Sequence, residues 1–388
     1  MSSYNAVLSR PGVTRIIGSQ LLARFAFGMM SLAIILHIEQ TYKNYTIAGI
    51  ALGAETIGAA VSGPLLARQL AKFGPRVLIT WLATISSLAL TFVAFYKGPE
   101  IWVVLACLVV GLTSPPIQQV ARAVYPSLIT KNQTSHLFSL DATLQELLWV
   151  FGPVLATMIS ATYSTTASVA FMATVQIVGT VLFARNPEIA GMKFPPSKRR
   201  LGGVLKKPIT ISAVLINATL VASFGAADVG TVAVLGMQPA GIVIATLSLG
   251  SLVGGFAFGH RAKSKWALFK FVSITFIGFA MVFVNPTDLV WITLSWFVVG
   301  LGVAPSFATV ASMISVSFGQ ADSAEAYGWI NTAQLLGYSG GAAFAGIIVD
   351  NFSHDAAWYV TFAMGLAGVI SALATARFNP ELAQKESK

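Results

Sequence analysis

The sequence predicts an all-α membrane protein in which twelve transmembrane helices form two pseudo-symmetric six-helix bundles. Three observations lead to this fold class: the composition, the spacing of the apolar runs and an internal repeat. Of the 388 residues, 55% are hydrophobic and 10% are charged, whereas a soluble domain carries about 25% charged residues. Because so few polar side chains are available to cover a water-exposed surface, we expect lipid to surround most of the chain.

Twelve apolar runs, separated by turn and charge signals, reach the roughly 20 residues that a helix needs to cross a bilayer. They lie near residues 13–38, 46–69, 76–96, 101–127, 135–160, 163–185, 209–235, 239–259, 267–285, 289–316, 324–349 and 357–378. The longest break follows the sixth run. It predicts an N-terminal six-helix bundle over residues 1–185, a basic cytoplasmic linker over 186–208 and a C-terminal six-helix bundle with a short tail over 209–388.

Lysine and arginine are distributed unevenly between the loops on the two sides of the predicted helices. With a cytoplasmic N-terminus, the inner loops hold most of them, including Lys198, Arg199 and Arg200 in the linker, whereas the outer loops hold Lys43 and Lys97. This asymmetry predicts a multi-pass protein of the cytoplasmic (plasma) membrane with both termini inside. The net charge of +10 then reflects topology next to anionic lipid and not a nucleic-acid-binding surface.

The two halves of the chain resemble each other at an offset of about 190 residues. The segment "IWVVLACLVVGLTSPP" of the fourth span matches "VWITLSWFVVGLGVAP" of the tenth span, and Gln145 of the fifth span aligns with Gln334 of the eleventh. The first match aligns Trp102 with Trp291, Gly111 with Gly300, and Pro116 with Pro305. Because unrelated apolar helices do not share tryptophans, glycines and prolines in register, the match indicates a duplicated six-helix unit.

The loop after the second span reads "GPLLARQLAKFGPR". Lys72, Gly74 and Arg76 fit the cytoplasmic loop motif of the major facilitator superfamily. In that motif glycine, three residues and aspartate precede a basic residue, one residue of any type, glycine and two further basic residues. Ala67 and Ala71 stand where the family usually has glycine and aspartate, so the carboxylate of the usual cytoplasmic latch is missing.

With this motif, the repeat and the span count, the chain resembles the major facilitator superfamily over essentially its full length. A Gly152–Pro153 pair in the fifth span is similar to a motif of proton-coupled exporters in that family. The resemblance implies two six-helix bundles that rock about a central site near the middle of the membrane.

Arg24 lies about eleven residues into the first span, roughly 16 Å deep at 1.5 Å per residue, and Glu146 lies at a similar depth in the fifth span. Those two helices are neighbours in the resembled fold. We therefore predict an intramembrane ion pair between Arg24 and Glu146, because pairing lowers the free-energy cost of each charge in lipid. This pair either lines the cavity or fixes the helix register. The same depth argument predicts a second pair, Arg122 with Asp141, nearer the cytoplasm.

Two other acidic residues within the spans, Glu55 and Asp228, have no obvious basic neighbour in the sequence. A carboxylate without a basic partner in a poorly hydrated site can take up and release protons near neutral pH. Asp228 is the first candidate for proton coupling, because the seventh span lines the central cavity in the resembled fold. The alternative is that Asp228 lies in a water-filled outer vestibule.

Adjacent prolines in the fourth span, Pro115 and Pro116, remove helix hydrogen bonds and predict a kink. Amide side chains beside that kink and in the helices of the predicted cavity are candidates for lining it. These residues are Gln118, Gln119, Gln145, Asn217 and Gln334. We find no ATP-binding glycine loop, no metal-binding motif and no set of nucleophile and base, and the single cysteine, Cys107, permits no internal disulfide.

These features predict a secondary active transporter and not an enzyme, with no cofactor and no bound metal. We expect a monomer that exports an amphipathic small molecule in exchange for protons, because the candidate cavity residues offer little cationic charge beyond Arg24. Proton-coupled uptake of a metabolite by symport is one alternative. An alternative of another class is a membrane sensor or scaffold that kept the fold but does not transport.

Overall fold

The computed structural model of the chain describes residues 2–130, 133–192, 194, 201–258 and 264–380. After a short helix, Ser2–Leu8, six long helices follow in the first half of the chain. They are α1 (Val13–Tyr42), α2 (Tyr45–Phe73), α3 (Pro75–Phe95), α4 in two parts (Glu100–Leu112 and Ile117–Leu128), α5 (Thr134–Thr162) and α6 (Thr165–Ala184). A single turn of helix, Pro187–Ala190, ends this half.

The second half repeats the pattern. It contains α7 (Pro208–Leu235), α8 (Met237–Phe258), α9 (Ala267–Met281), α10 (Leu289–Ser317), α11 (Gln320–Asn351) and α12 (Ala357–Thr375). Short 3-10 helices lie beside these elements, at Gly203–Lys206, Val282–Val284, His354–Ala356 and Ala376–Phe378. The predicted linker residues Lys198, Arg199 and Arg200 lie outside the described residues, so the limits of the linker stay a prediction.

The predicted fold class is confirmed. Over the described residues, eleven helices are long and apolar enough to cross a membrane, and α8 adds a shorter apolar segment, Ile242–Phe258. Twelve apolar helices thus follow one another at the places where twelve spans were predicted. No strand interrupts them in the part of the chain that the structure describes.

Polar side chains and glycines in the loops set where several helices begin. Asn44 caps α2 by accepting from the Ile47 N–H at 3.2 Å, and Asp288 caps α10 by accepting from the Trp291 N–H at 2.7 Å. Gly74 joins α2 to α3 with a φ of +75°, a conformation that glycine adopts without steric cost. The glycine of the predicted loop motif is therefore the residue that turns the chain between two spans.

The two halves pack their helices in the same way. In the first bundle α1 packs against α5 and α6, and α2 against α4. In the second bundle α7 packs against α11 and α12, and α8 against α10. Glycines allow the closest approaches: a Cβ on Gly152 would lie 2.6 Å from the Cα of Gly28. Small residues serve this purpose in lipid, where the hydrophobic effect does not drive helices together.

The two ends of the molecule differ in how the bundles meet. We call the end at which α1 begins and α2 ends the basic end, because the loop with Lys72 and Arg76 lies there. One hydrophobic cluster at the basic end includes Tyr125 and Phe138 from the first bundle and Tyr327 from the second. Towards the opposite end, the clusters of the described residues belong to one bundle or to the other. Among the described residues, the core that the two bundles share therefore lies at the basic end.

Candidate functional site

A buried hydrogen-bond network surrounds Asp141 in the first bundle. Its side chain, 1% exposed, accepts from Arg122 Nε at 3.0 Å, from the Tyr125 hydroxyl at 2.8 Å and from Gln20 Nε2 at 2.8 Å. The structure thus brings together Arg122 and Asp141, the second predicted pair. Three donors around one carboxylate reduce the cost of its burial, since a buried charge is tolerated when it is paired and hydrogen-bonded.

Arg24 joins the same network and does not pair with Glu146. Its Nη1 donates to Gln20 Oε1 at 3.2 Å, and Gln20 links it to Asp141. The predicted Arg24–Glu146 ion pair is wrong for this structure. Depth alone could not decide the partner, because Asp141 and Glu146 are five residues apart and thus about 140° apart around α5. Asp141 faces the interior of the first bundle, whereas Glu146 faces the second bundle.

Glu146 is buried where α5 meets α8. Its carboxyl lies beside Ser251 of α8, whose Oγ accepts from the Ala304 N–H at 3.2 Å. About two turns closer to the basic end, Ser139 Oγ donates to the Gly255 carbonyl at 2.8 Å. These contacts join α5 of the first bundle to α8 and α10 of the second.

The candidate amides form contacts within each bundle. Gln118 Nε2 lies 3.0 Å from Gln145 Oε1. In the other orientation of the Gln118 amide, its oxygen accepts from the Arg122 guanidinium at 2.8 and 3.1 Å. Gln334 Nε2 donates to Asn217 Oδ1 at 2.8 Å in the second bundle. Gln118, Gln145 and Gln334 are partly exposed, which is compatible with a cavity wall.

Two of the predicted cavity residues do not face open space in this conformation. Asn217 is 2% exposed and Gln119 is 7% exposed. Asn217 donates from its amide to the Ala213 carbonyl at 2.8 Å within α7, besides accepting from Gln334. These two side chains therefore lie inside the bundles, behind the surface that the cavity presents.

Polar contacts between the bundles at the basic end surround the shared core. Arg68 Nε lies 3.1 Å from Glu325 Oε2, an ion pair between α2 and α11 in which Glu325 is fully buried. The other oxygen, Glu325 Oε1, accepts from the Gly202 N–H at 2.8 Å. A Cβ on Gly328 would lie 2.9 Å from the Gly63 carbonyl, so the α2 and α11 backbones touch there.

The predicted loop motif contributes less to this contact than its neighbour Arg68. Lys72 lies with its Nζ 5.1 Å from the centre of the adjacent Phe73 ring, and Gly74 forms the turn. Within the described residues, neither Lys72 nor Arg76 forms an ion pair across the bundles. The missing motif aspartate is thus not replaced in its own loop. Instead, a carboxylate on α11, that of Glu325, pairs with Arg68, an arginine three residues before that position.

Beyond these contacts, the side of α5 that faces the second bundle becomes exposed, and we call the space beside it the cleft. Trp149 lies about 60° around α5 from Glu146, which is on the helix face that contacts α8 through Ser139. Trp149 is nevertheless 54% exposed. This side of α5 is therefore in contact with the second bundle near the basic end and exposed further along.

Asp228 and Glu55 have no ion-pair partner among the described residues. Asp228 is partly buried on α7, and its Oδ2 accepts from the Tyr338 hydroxyl at 2.7 Å. Glu55, on α2, is 7% exposed and lies 3.4 Å from the Thr56 hydroxyl. Both carboxylates are therefore in places where the gain or loss of a proton changes the local charge without a fixed counter-ion.

The sequence of the chain matches the family model described as Major Facilitator Superfamily over residues 16–342. The chain belongs to the major facilitator superfamily. A search of curated protein sequences gave no match.

Solved structures of major facilitator proteins share this fold. A bacterial homologue of the iron transporter ferroportin in an outward-facing state superposes with a TM-score of 0.76 at 14% identity, covering 94% of this chain and 99% of that one. The human organic anion transporter MFSD10 (TETRAN) gives 0.74 at 12% identity over 93% and 98% of the two chains. The proton:xylose symporter XylE gives 0.72 at 14% identity over 95% and 96%. These identities support likeness of fold alone.

In this major facilitator protein, the sequence reasoning missed four residues that complete the polar contacts. Gln20 lies one helical turn before Arg24, a spacing that places both on one face of α1. Tyr125 lies three residues after Arg122 on α4 in the same way. No local sequence pattern indicates the contacts of Glu325 and Ser251, because their partners lie in the other bundle. No group of three or more His, Cys, Asp or Glu side chains in the described ranges is arranged to hold a metal ion.

Proposed function

We propose that this protein is a secondary active transporter that exports an amphipathic small molecule in exchange for protons. The observation that carries the proposal is the contrast between the two ends. The bundles share one hydrophobic core at the basic end and separate towards the other end. Rocking that opens the basic end and closes the other end would expose a central site to each side in turn, which is alternating access.

The orientation of the proposed transporter follows from its charges. The basic end faces the cytoplasm, because lysine and arginine are retained on that side of a membrane protein. Both termini are then cytoplasmic in the plasma membrane, and the cleft in this structure opens outwards. We propose that the protein works as a monomer surrounded by lipid, with protons and a small molecule as its ligands.

The composition of the cleft supports an amphipathic cargo. Trp149 offers a large apolar surface, and Tyr338 is 43% exposed beside Asp228. Ligand sites of this kind combine apolar walls with a few polar groups that fix orientation. The solved structures are described as a bacterial homologue of an iron transporter, an organic anion transporter and a proton:xylose symporter. The fold therefore does not specify the cargo, and the side chains must.

We propose Asp228 as the first proton-coupling residue and Glu55 as the second candidate. Asp228 lies on a helix next to the cleft and is hydrogen-bonded to a hydroxyl, so it can accept a proton or a polar group of the cargo. One proton that moves down 100 mV of membrane potential supplies about 2.3 kcal/mol for the cycle. Proton coupling in a solved relative, the xylose symporter, supports protons as the driving ion.

The test is transport in proteoliposomes with an imposed pH gradient, using a panel of lipophilic dyes and growth inhibitors. We expect gradient-driven movement of at least one compound, and a fall of tenfold or more for Asp228→Asn, since about 1.4 kcal/mol of lost coupling is a factor of ten. Glu55→Gln is tested in parallel. Asp355→Asn, at an exposed carboxylate, is the matched control and should transport normally.

The direction of flux separates the candidate functions. Movement of the compound against the direction of proton entry supports antiport, whereas movement with the protons establishes uptake by symport. If no compound moves in either direction and a binding signal remains, the sensor or scaffold function is favoured. Full gradient-driven flux in both carboxylate variants would remove Asp228 and Glu55 from the mechanism.

A further inference from the structure

Glu146 is a buried carboxyl group at the joint between the bundles that the network around Asp141 does not use. It is 6% exposed and lies on the α5 face that contacts α8 of the second bundle, beside the Ser251 hydroxyl. The contact lies at the level where the shared core ends and the cleft begins, one turn from Trp149. Movement of the bundles at the basic end must therefore change the surroundings of this group.

The elements packed against Glu146 provide no counter-ion for it. From the second bundle, α8 and α10 face it and contain no ionisable side chain over Met237–Phe258 and Leu289–Ser317. In the first bundle, α6 contains none, and the arginines of α1 and α4 are engaged elsewhere. Arg24 donates to Gln20, and Arg122 is paired with Asp141. The Ser251 hydroxyl remains as the polar group beside the Glu146 carboxyl.

An ionised carboxylate in this place would be strongly disfavoured. Burial of a charge away from water is tolerated when a counter-charge or several donors compensate it, and here one hydroxyl is present. The neutral carboxyl group fits the contact, because it can both donate to and accept from the Ser251 hydroxyl. The closed basic end therefore favours the protonated form of Glu146.

We propose that Glu146 is a proton-carrying residue whose protonation holds the bundles together at the basic end. When the bundles separate there, water from that side reaches Glu146, its O–H bond breaks and the proton passes to that water. When the basic end closes again, the carboxylate regains one proton from water in the cleft. The inference deepens the proposed transport cycle and rests on it, and it adds a carboxylate that responds to the separation of the bundles.

The test is a distance measurement between the bundles at the basic end. Spin labels are attached at Val77→Cys, at the start of α3, and Val316→Cys, at the end of α10, in a Cys107→Ser background. Both sites are about half exposed, at 49% and 55%. In lipid nanodiscs, we expect a short distance at acid pH and, as the pH rises, at least a fivefold increase in the ratio of long to short distances.

The variants decide whether Glu146 causes this change. Glu146→Gln, which cannot ionise, should keep the short distance at every pH, whereas Asp355→Asn, at an exposed carboxylate, should respond like the parent. Glu146→Asp keeps an ionisable group and should keep a pH response, which controls for misfolding of the glutamine variant. Ser251→Ala should raise the long-to-short ratio about fivefold at a given pH, the worth of a hydrogen bond of about 1 kcal/mol.

A pH response in Glu146→Gln equal to that of the parent, or no response in the parent, would overturn the inference. Its failure and that of the proposed transport are distinguishable. If no compound moves in proteoliposomes but the distance still changes with Glu146, the protein has a proton-sensitive joint without transport. If compounds move but the distance ignores Glu146, transport stands and the coupling residue lies elsewhere.

Discussion

The two bundles repeat one helix arrangement but bury different chemistry at its centre. In the first bundle, Arg24, Arg122 and Asp141 are buried together with two neutral donors. In the second bundle, Gln334 of α11, which the repeat aligns with Gln145, donates a hydrogen bond to Asn217, and this contact is neutral. Because the second bundle adopts the same helix arrangement with a neutral pair, the arrangement itself does not require the charges. Their presence in the first bundle is therefore evidence of a task specific to that half.

A second difference concerns the helices that the repeat aligns as α4 and α10. Pro115 and Pro116 divide α4 after Leu112, whereas Pro305 lies inside the continuous helix α10. One proline removes one backbone hydrogen bond, and a membrane helix can absorb that loss. Two adjacent prolines remove two, and the second restricts the backbone of the first, so the helix stops and restarts.

The largest expected effect tests the charged centre of the first bundle against the neutral one of the second. Asp141→Ala leaves two buried arginines without their carboxylate and should lower the free energy of unfolding by about 3–5 kcal/mol. Gln334→Ala removes one neutral hydrogen bond and should cost about 1 kcal/mol. Denaturant titration in detergent measures both. Equal losses in the two variants would mean that the charges add nothing to the first bundle beyond an ordinary polar contact.

An intermediate effect is expected where the two bundles meet. Arg68→Ala leaves the fully buried Glu325 without its cation, and we expect the ratio of long to short distances between the labels at 77 and 316 to rise about tenfold, equivalent to about 1.4 kcal/mol. Arg15→Ala breaks an exposed pair with Glu188 inside the first bundle, and such pairs contribute about 0–1 kcal/mol. A similar rise in both variants would show that the ratio reports general destabilisation.

The smallest expected effect concerns the polar pair beside the cleft in the second bundle. Tyr338→Phe removes the hydroxyl that donates to Asp228, and we expect a change of about fivefold or less in gradient-driven transport, the worth of one hydrogen bond. Tyr163→Phe, at a residue 81% exposed, is the control and should leave transport unchanged. Transport identical in the two variants would argue that the Asp228 environment does not limit the cycle.

The sequence allowed the order of the helices to be predicted, but not their rotation. Span limits followed from the lengths of apolar runs, and the break in α4 followed from Pro115 and Pro116. The depth of Arg122 and Asp141 was enough to predict their contact. It was not enough for Arg24 and Glu146, because lipid-facing and core-facing positions of a membrane helix are both apolar and leave little periodicity to indicate which way a side chain points.

Contacts between the bundles were the least predictable part of the candidate site. The ion pair of Arg68 with Glu325 joins residues more than half the chain apart, and neither has a local pattern that indicates the other. Ser251 is one serine among several in an apolar helix. The seventh-span aspartate, Asp228, could be singled out because a carboxylate in a membrane span is rare, yet its tyrosine partner on α11 could not.

The break in α4 is a point of flexibility in the first bundle, whereas the aligned helix of the second bundle, α10, is continuous. The outer part of α4 ends at Leu112, and the carbonyl of Gly111 beside it accepts from the Ser62 hydroxyl of α2 at 3.1 Å. The inner part of α4 contains Arg122 and Tyr125 of the network. Between the two parts of α4, Pro115 and Pro116 have no N–H to donate, and the Pro115 carbonyl accepts from the Ile117 N–H at 2.7 Å, which is not a helix hydrogen bond. The inner part of α4 can thus tilt without an equal tilt of the outer part. We therefore expect the first bundle to bend more easily at the level of the break in α4 than the second bundle, in which α10 is continuous.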